Sequence, residues 1–226
     1  MDYVPLNLLI PLGISFYTFQ STGYVIDVYR GKESAERNIF RFALFVVSFF
    51  PTIVQGPIER HSDLAKQLYE PHKYEYKRFC FGAQRMLWGY IKKLVIADRI
   101  GILTAHVFAN YQTNRYGSFI IFGTVLLNAI KVYADFSGGM DIVIGLCEIL
   151  GTKLTENFAR PYFATSISDF WKRWHITLEA WFKRYVFYSI SLSKRFNGIV
   201  KSMKKCIGNS AKYIPVTLAR VILLEI

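Results

Sequence analysis

Residues Ser168–Tyr188 read SDFWKRWHITLEAWFKRYVFY, and the solvent this stretch is built for decides the fold. Laid out at about 100° per residue, Phe170, Trp171, Trp174, Leu178, Trp181, Phe182 and Tyr185 share one face, whereas Lys172, Glu179 and Lys183 share another. His175 falls on the border between them. The spacing predicts an amphipathic aromatic helix over 168–188, N-capped by Ser168, of the kind that lies at a membrane interface. An imidazole with apolar groups on one side and charges on the other can stay neutral at pH 7 and act as a base. The same position also suits a hydrogen-bonded interfacial histidine with no chemistry of its own, which is the commoner case.

The rest of the composition agrees with a bilayer. Hydrophobic residues make up 52% of the 226, aromatic residues 17% and charged residues 19%, with a mean hydropathy of +0.22. The formal charge of +12 would suggest nucleic acid in a soluble domain, but its distribution argues otherwise. Nine Lys or Arg and one acid, Glu179, lie between Lys172 and Lys205, a net of +8 in one stretch. The positive-inside rule places that stretch, with a basic connector over 191–213, on the cytoplasmic side against anionic headgroups. Zinc spacing, a recognition helix and a glycine-rich RNA motif are all missing from the sequence, which argues against nucleic acid as a partner. Cys80, Cys147 and Cys206 are odd in number and far apart, a pattern of neither a disulfide framework nor a metal site.

Upstream, four apolar segments carry unusual residues. Val4–Tyr24 is uncharged, with Pro5, Pro11 and Gly13 predicting kinks. Ile39–Ile58 ends in FFPTIVQGPIER, where Pro51, Gly56 and Pro57 predict a re-entrant or turning segment, an ordinary span with a surface turn being the alternative. His61 and His72 beyond it have no metal-ligand spacing and read as solvated. Phe79–Phe108 holds Arg85, Lys92, Lys93, Asp98 and Arg99, which predicts an interfacial segment with snorkelling lysines. Phe119–Leu150 is interrupted by KVYADFSGGMD. Gly138–Gly139 there reads either as a break between two helices, with N–H groups free for an anion or acyl oxygen, or as part of one helix on which Lys131 pairs with Asp135.

Taken together, LGISFYTFQSTGYVIDVYRG (12–31), FFPTIVQGPIER (49–60), WGYIKKLVIADR (88–99), KVYADFSGGMDIVIG (131–145) and LTENFARPYFATSISDFWKRWHITL (154–178) resemble the membrane-bound O-acyltransferase family. The resemblance is to its bacterial branch of alginate O-acetyltransferases and teichoic-acid D-alanyltransferases. It implies an all-α, polytopic integral membrane protein with kinked and re-entrant helices, one membrane-embedded domain over 1–226, and a multi-pass place in the bacterial cell membrane. It further implies transfer of an acyl group, acetyl in the first instance, to hydroxyls of an exported polysaccharide or teichoic acid. The donor would be acyl-CoA or an acyl-carrier thioester used as a co-substrate. No bound cofactor or metal is expected; the partners are the polymer, an acyl carrier or donor protein, and membrane lipids.

The family's first tunnel histidine matches His175, the candidate catalytic residue, and the tunnel candidates are Asp135, Ser137, Asp141 and Trp174. The family's second histidine, in a Trp-His-Gly motif, lies further along than this sequence runs. The expectation is therefore a central portion, incomplete at both ends and inactive alone; a non-catalytic remnant or partner-binding scaffold is the alternative. Lys183-Arg184-Tyr185 stands where the family has Arg-Asp-Tyr, Gly138-Gly139-Met140 where it has Gly-Tyr-Ser, and Phe187-Tyr188-Ser189 where it has Phe-Tyr-Pro. A transporter is disfavoured, since no internal repeat marks two related halves.

Overall fold

The computed structural model describes residues 13–193, so the start of the first apolar run and most of the basic connector lie outside the described residues. Among the described residues the chain is helical, with one isolated β-bridge, Phe158 with Trp174. It divides into two compact units, one holding residues up to Gln20 and Ala35–Thr155, the other Ser21–Ser34 and everything from Glu156.

In the first unit, Gly13 has φ +74° and lies against the Ile53 backbone, so that a β-carbon would collide there. Helix α1 (Ile14–Tyr29) starts directly after it, with its first part in this unit and the remainder in the other. Asn38 caps α2 (Ile39–Ala43) with its side-chain oxygen, accepting from the Phe40 and Arg41 amides at 2.9 and 3.3 Å. A π-helical turn, Leu44–Ser48, follows. Phe49, at φ −80° and ψ 73°, breaks the run before α3 (Phe50–Gln55). After Gly56 the backbone is extended, and Pro57, Ile58 and Glu59 are buried. The expected turning segment is thus found as buried irregular backbone.

Helix α4 (His61–Tyr69) packs Leu64 into a core of Phe45, Val46, Phe49, Val143, Ile144, Cys147 and Leu154. His61 is buried there, edge-on to Phe45 with centroids 5.0 Å apart, so the reading of this histidine as solvated is corrected. A ring at the start of an amphipathic helix turned inward with its neighbour Leu64 because the Gly56–Arg60 segment delivers it to the core. His72 is exposed, its Nε2 2.6 Å from the Gln67 carbonyl.

Helix α5 (Tyr76–Tyr90), a π-helical segment (Ile91–Ala97) and α6 (Asp98–Asn110) form unbroken helical backbone. They pack along α7 (Ser118–Ile149), 32 residues of continuous helix. At 1.5 Å per residue α7 exceeds the ~30 Å hydrocarbon thickness, and it is long and apolar enough to cross a membrane. Its first turns expose Phe119, Ile120, Phe122, Val125 and Leu126, which is stable against lipid rather than water.

The contact between α5 and α7 rests on glycine. A β-carbon on Gly82 would lie 2.5 Å from the Gly145 carbonyl, and one on Gly89 2.6 Å from the Gly138 carbonyl. The pairs are one heptad apart on each helix and run antiparallel, so the two backbones touch twice along one seam. Gly138–Gly139 is therefore a packing surface inside a continuous helix, and the expected break there is corrected. Close packing on α5 and Gln55 supplies the physical reason: these positions need the absence of a side chain, not a special φ.

Candidate active site

Within the second unit, two segments that sequence alone leaves as a loop and a helix are joined. Asn157, 1% exposed, is its hub. Its carbonyl accepts from the Ile176 amide at 3.0 Å, and its side-chain Oδ1 accepts from both the Thr177 amide and Thr177 Oγ1 at 3.0 Å. The Ala159 amide donates to the Arg173 carbonyl at 2.9 Å. Residues 157–159 and 173–177 are thereby stitched edge to edge.

This stitching interrupts the expected helix over 168–188. Helix α8 (Ile167–Trp171) ends, residues 172–175 turn, and α9 (Ile176–Phe182) begins after His175, which has φ 49° and ψ 54°. A π-helical turn, Lys183–Phe187, and α10 (Tyr188–Ser191) follow. The periodicity misled because two backbone bonds and the two bonds that the Asn157 side chain accepts from Thr177 outweigh the aromatic stripe. The N-cap also moves: Ser166, not Ser168, caps α8, with its Oγ accepting from the Asp169 amide at 3.1 Å. Asp169 pairs with Arg173 at 3.0 Å, and that bond holds its carboxyl below the usual carboxylate range.

Trp174 is enclosed by rings. It stacks on Phe170 at 5.6 Å and 17°, meets Phe158 edge-on at 5.1 Å, and lies 6.4 Å from Tyr162. Arg160, also left-handed at φ 50°, turns the chain so that Tyr162 reaches this cluster. His175 follows directly, half-buried, and burial lowers its pKa to about 4. It is neutral at pH 7, able to donate from one nitrogen and accept at the other.

The remaining candidates belong to the first unit. Asp141 accepts from Arg85 Nη2 at 3.0 Å and Lys92 Nζ at 2.6 Å, with all three side chains a quarter exposed or less. Lys92 Nζ also sits 5.9 Å from the Trp88 ring centre. Asp135 pairs with Lys93 at 2.5 Å, not with Lys131. The lysines expected to snorkel are tied instead to α7, because a carboxylate within reach beats a climb to the interface. Ser137 is 3% exposed, and its hydroxyl has no hydrogen-bond partner among the described residues. Asp135, Ser137 and Asp141 thus share α7, while Trp174 and His175 share the 173–177 turn. Among the described residues no cluster of three or more metal-ligating groups occurs.

A family model described as membrane-bound O-acyltransferase matches residues 33–203. The chain belongs to the membrane-bound O-acyltransferase family. It is 40% identical over 188 residues to the "Probable alginate O-acetylase AlgI" of Pseudomonas syringae pv. tomato, covering 83% of this chain and 35% of that protein. It is 34% identical over 211 residues to the peptidoglycan O-acetyltransferase of Helicobacter pylori, covering 80% and 39%. Over 188 residues it is 31% identical to the teichoic acid D-alanyltransferase of Bacillus subtilis, covering 81% and 46%. The chain spans about a third of the length of the alginate O-acetylases it matches. The family is a membrane family, which agrees with the exposed apolar side chains at the start of α7.

Asn157, Arg85 and Lys92 were not among the residues singled out as site candidates. Signals for them existed: an asparagine before an aromatic in NFARPY, and glycines one heptad apart in two apolar segments, which set α5 against α7 and so put cations opposite Asp141.

Proposed function

We propose that this chain is part of a multi-pass membrane O-acyltransferase that moves an acyl group, acetyl in the first instance, from a thioester donor to hydroxyls of an exported cell-surface polymer. The observation that carries the reading is His175, a neutral, half-buried imidazole on a left-handed turn in a chain of this family. Three relatives named for acyl transfer to alginate, peptidoglycan and teichoic acid support the reaction class.

Acyl transfer breaks the thioester C–S bond and forms an ester C–O bond. The acceptor hydroxyl loses its proton, and the departing sulfur must receive one. A group with a pKa of about 4 is a weak acceptor for a proton held at pH 7. His175 therefore serves by hydrogen bonding, orienting the acceptor hydroxyl or the thioester carbonyl, while the proton passes to a base elsewhere in the whole protein. Within the first unit Ser137 holds a buried hydroxyl, Asp141 anchors Arg85 and Lys92, and Asp135 anchors Lys93; within the second, Trp174 and its ring cluster precede His175.

The test is His175→Gln in the full-length protein, with acyl transfer to polymer followed from a labelled thioester. Loss of about a hundredfold or more supports the role. Wild-type transfer removes His175 from the mechanism, and unchanged polymer acylation after gene deletion favours a non-catalytic scaffold.

A further inference from the structure

We propose that the second unit holds a binding site for the phosphate of an anionic lipid headgroup, formed by Arg30, Lys32 and Arg184. The three cations line a cleft of about 660 Å³ together with Tyr188, Ser189, Leu192 and Ser193. Among the described residues no carboxylate lines it, and none of the three cations takes part in an ion pair.

The cleft is built, not incidental. Tyr185, 6% exposed, donates its hydroxyl to Asp27 Oδ2 at 2.6 Å, which bolts α1 to the π-helical turn. Ser189 Oγ donates to the Tyr185 carbonyl. Arg30 Nη2 donates to Ser189 Oγ at 2.5 Å, and Nη1 reaches the Arg184 carbonyl at 3.5 Å. The guanidinium is held by its edge, and its other N–H donors are left for an oxyanion. Gly31, at φ +66°, turns the chain directly after Arg30, and Lys32 also lines the cleft. Arg184 reaches it from the π-helical turn Lys183–Phe187.

A phosphate fits the charge; the rim selects its source. Leu192 lines the cleft at 74% exposure, and Tyr188 is 45% exposed beside it. A large apolar side chain exposed among three cations matches an amphiphile, with phosphate on the cations and acyl chain along Leu192. A free phosphate would gain nothing from that leucine. The inference rests on membrane residence alone and not on the acyl-transfer reading.

The test is native mass spectrometry of the full-length protein in neutral detergent, titrated with phosphatidylglycerol or phosphatidylcholine. Wild-type protein should retain phosphatidylglycerol preferentially. Arg184→Gln, whose side chain holds no structural bond, should weaken this roughly fivefold, and the triple change Arg30→Gln, Lys32→Gln, Arg184→Gln on the order of a hundredfold. Leu192→Ser should weaken lipid retention while leaving the protein's own affinity for inorganic phosphate unchanged, and Lys172→Gln, outside the cleft, should change nothing. Equal retention of both lipids, or undiminished retention by Arg184→Gln, overturns the site. Lipid retention unchanged by Leu192→Ser, with inorganic phosphate bound through the same three cations, overturns the lipid as its occupant.

Discussion

Replacing Asp141 by Asn tests whether the seam between α5 and α7 depends on charge as well as on glycine. The substitution keeps the shape and one acceptor oxygen but leaves Arg85 and Lys92 without their counter-charge. Removing one partner of a fully buried pair costs about 3–5 kcal/mol, an exposed pair about 0–1. The side chains of Asp141, Arg85 and Lys92 are 14%, 25% and 17% exposed, so the expected loss is about 2–3 kcal/mol. Asp135→Asn, on the same helix, breaks a pair whose side chains are 37–38% exposed, and should cost under about 1 kcal/mol. The assay is reversible unfolding of the full-length protein in mixed micelles, with a double-mutant cycle pairing Asp141→Asn with Lys92→Met. A coupling below about 0.5 kcal/mol, or equal costs for the two aspartates, would refute the claim that Asp141 holds the seam.

Gly89→Leu should cost about 1–3 kcal/mol or more, because the side chain meets the Gly138 carbonyl and Ile142, whereas Gly123→Leu, with open space around it, should be near neutral in the same unfolding assay. Asn157→Ala should cost about 1–3 kcal/mol by leaving the Thr177 amide unsatisfied, read by unfolding and by protease sensitivity near residue 175. His175 gives stability a pH dependence: above its ordinary 6.5 it is neutral folded and unfolded and contributes nothing. As pH falls from 6.5 towards 4 the unfolded chain takes up a proton that the folded one resists, so stability falls, by at most about 3 kcal/mol, and levels off below 4. The difference between wild type and His175→Gln, measured from pH 7.5 to 4, should show that slope; parallel curves would mean that the imidazole titrates normally.

The helical class and the membrane solvent were legible because they rest on composition summed over long windows, as in the apolar residues Phe119–Leu126. The ionic partners were not. Asp135 has Lys131 four residues away on its own helix, and sequence offers no reason to prefer Lys93 on another. Only the glycine register across α5 and α7 makes that choice. The 168–188 stretch failed differently. Its aromatic period is real, but the rings of Phe170 and Trp174 pack on one another and on Phe158 and Tyr162. His61 illustrates the same limit: whether a histidine at a helix start is wet or buried depends on the backbone that delivers it, here the extended Gly56–Arg60 segment.

His175 carries two separate costs, a left-handed backbone that an L-residue with a β-carbon adopts at about 1–2 kcal/mol and a burial that opposes its protonation. A glycine would relieve the first and an apolar side chain the second. The bonds of Asn157 to Ile176 and Thr177, with those of Ala159 to Arg173, over-determine the turn and hold it against that strain. Strain sustained by a dedicated network at a neutral imidazole points to a requirement on where the ring is held. His175→Gly should accordingly stabilise the fold while abolishing transfer, and a variant that gained stability with activity intact would locate the requirement elsewhere.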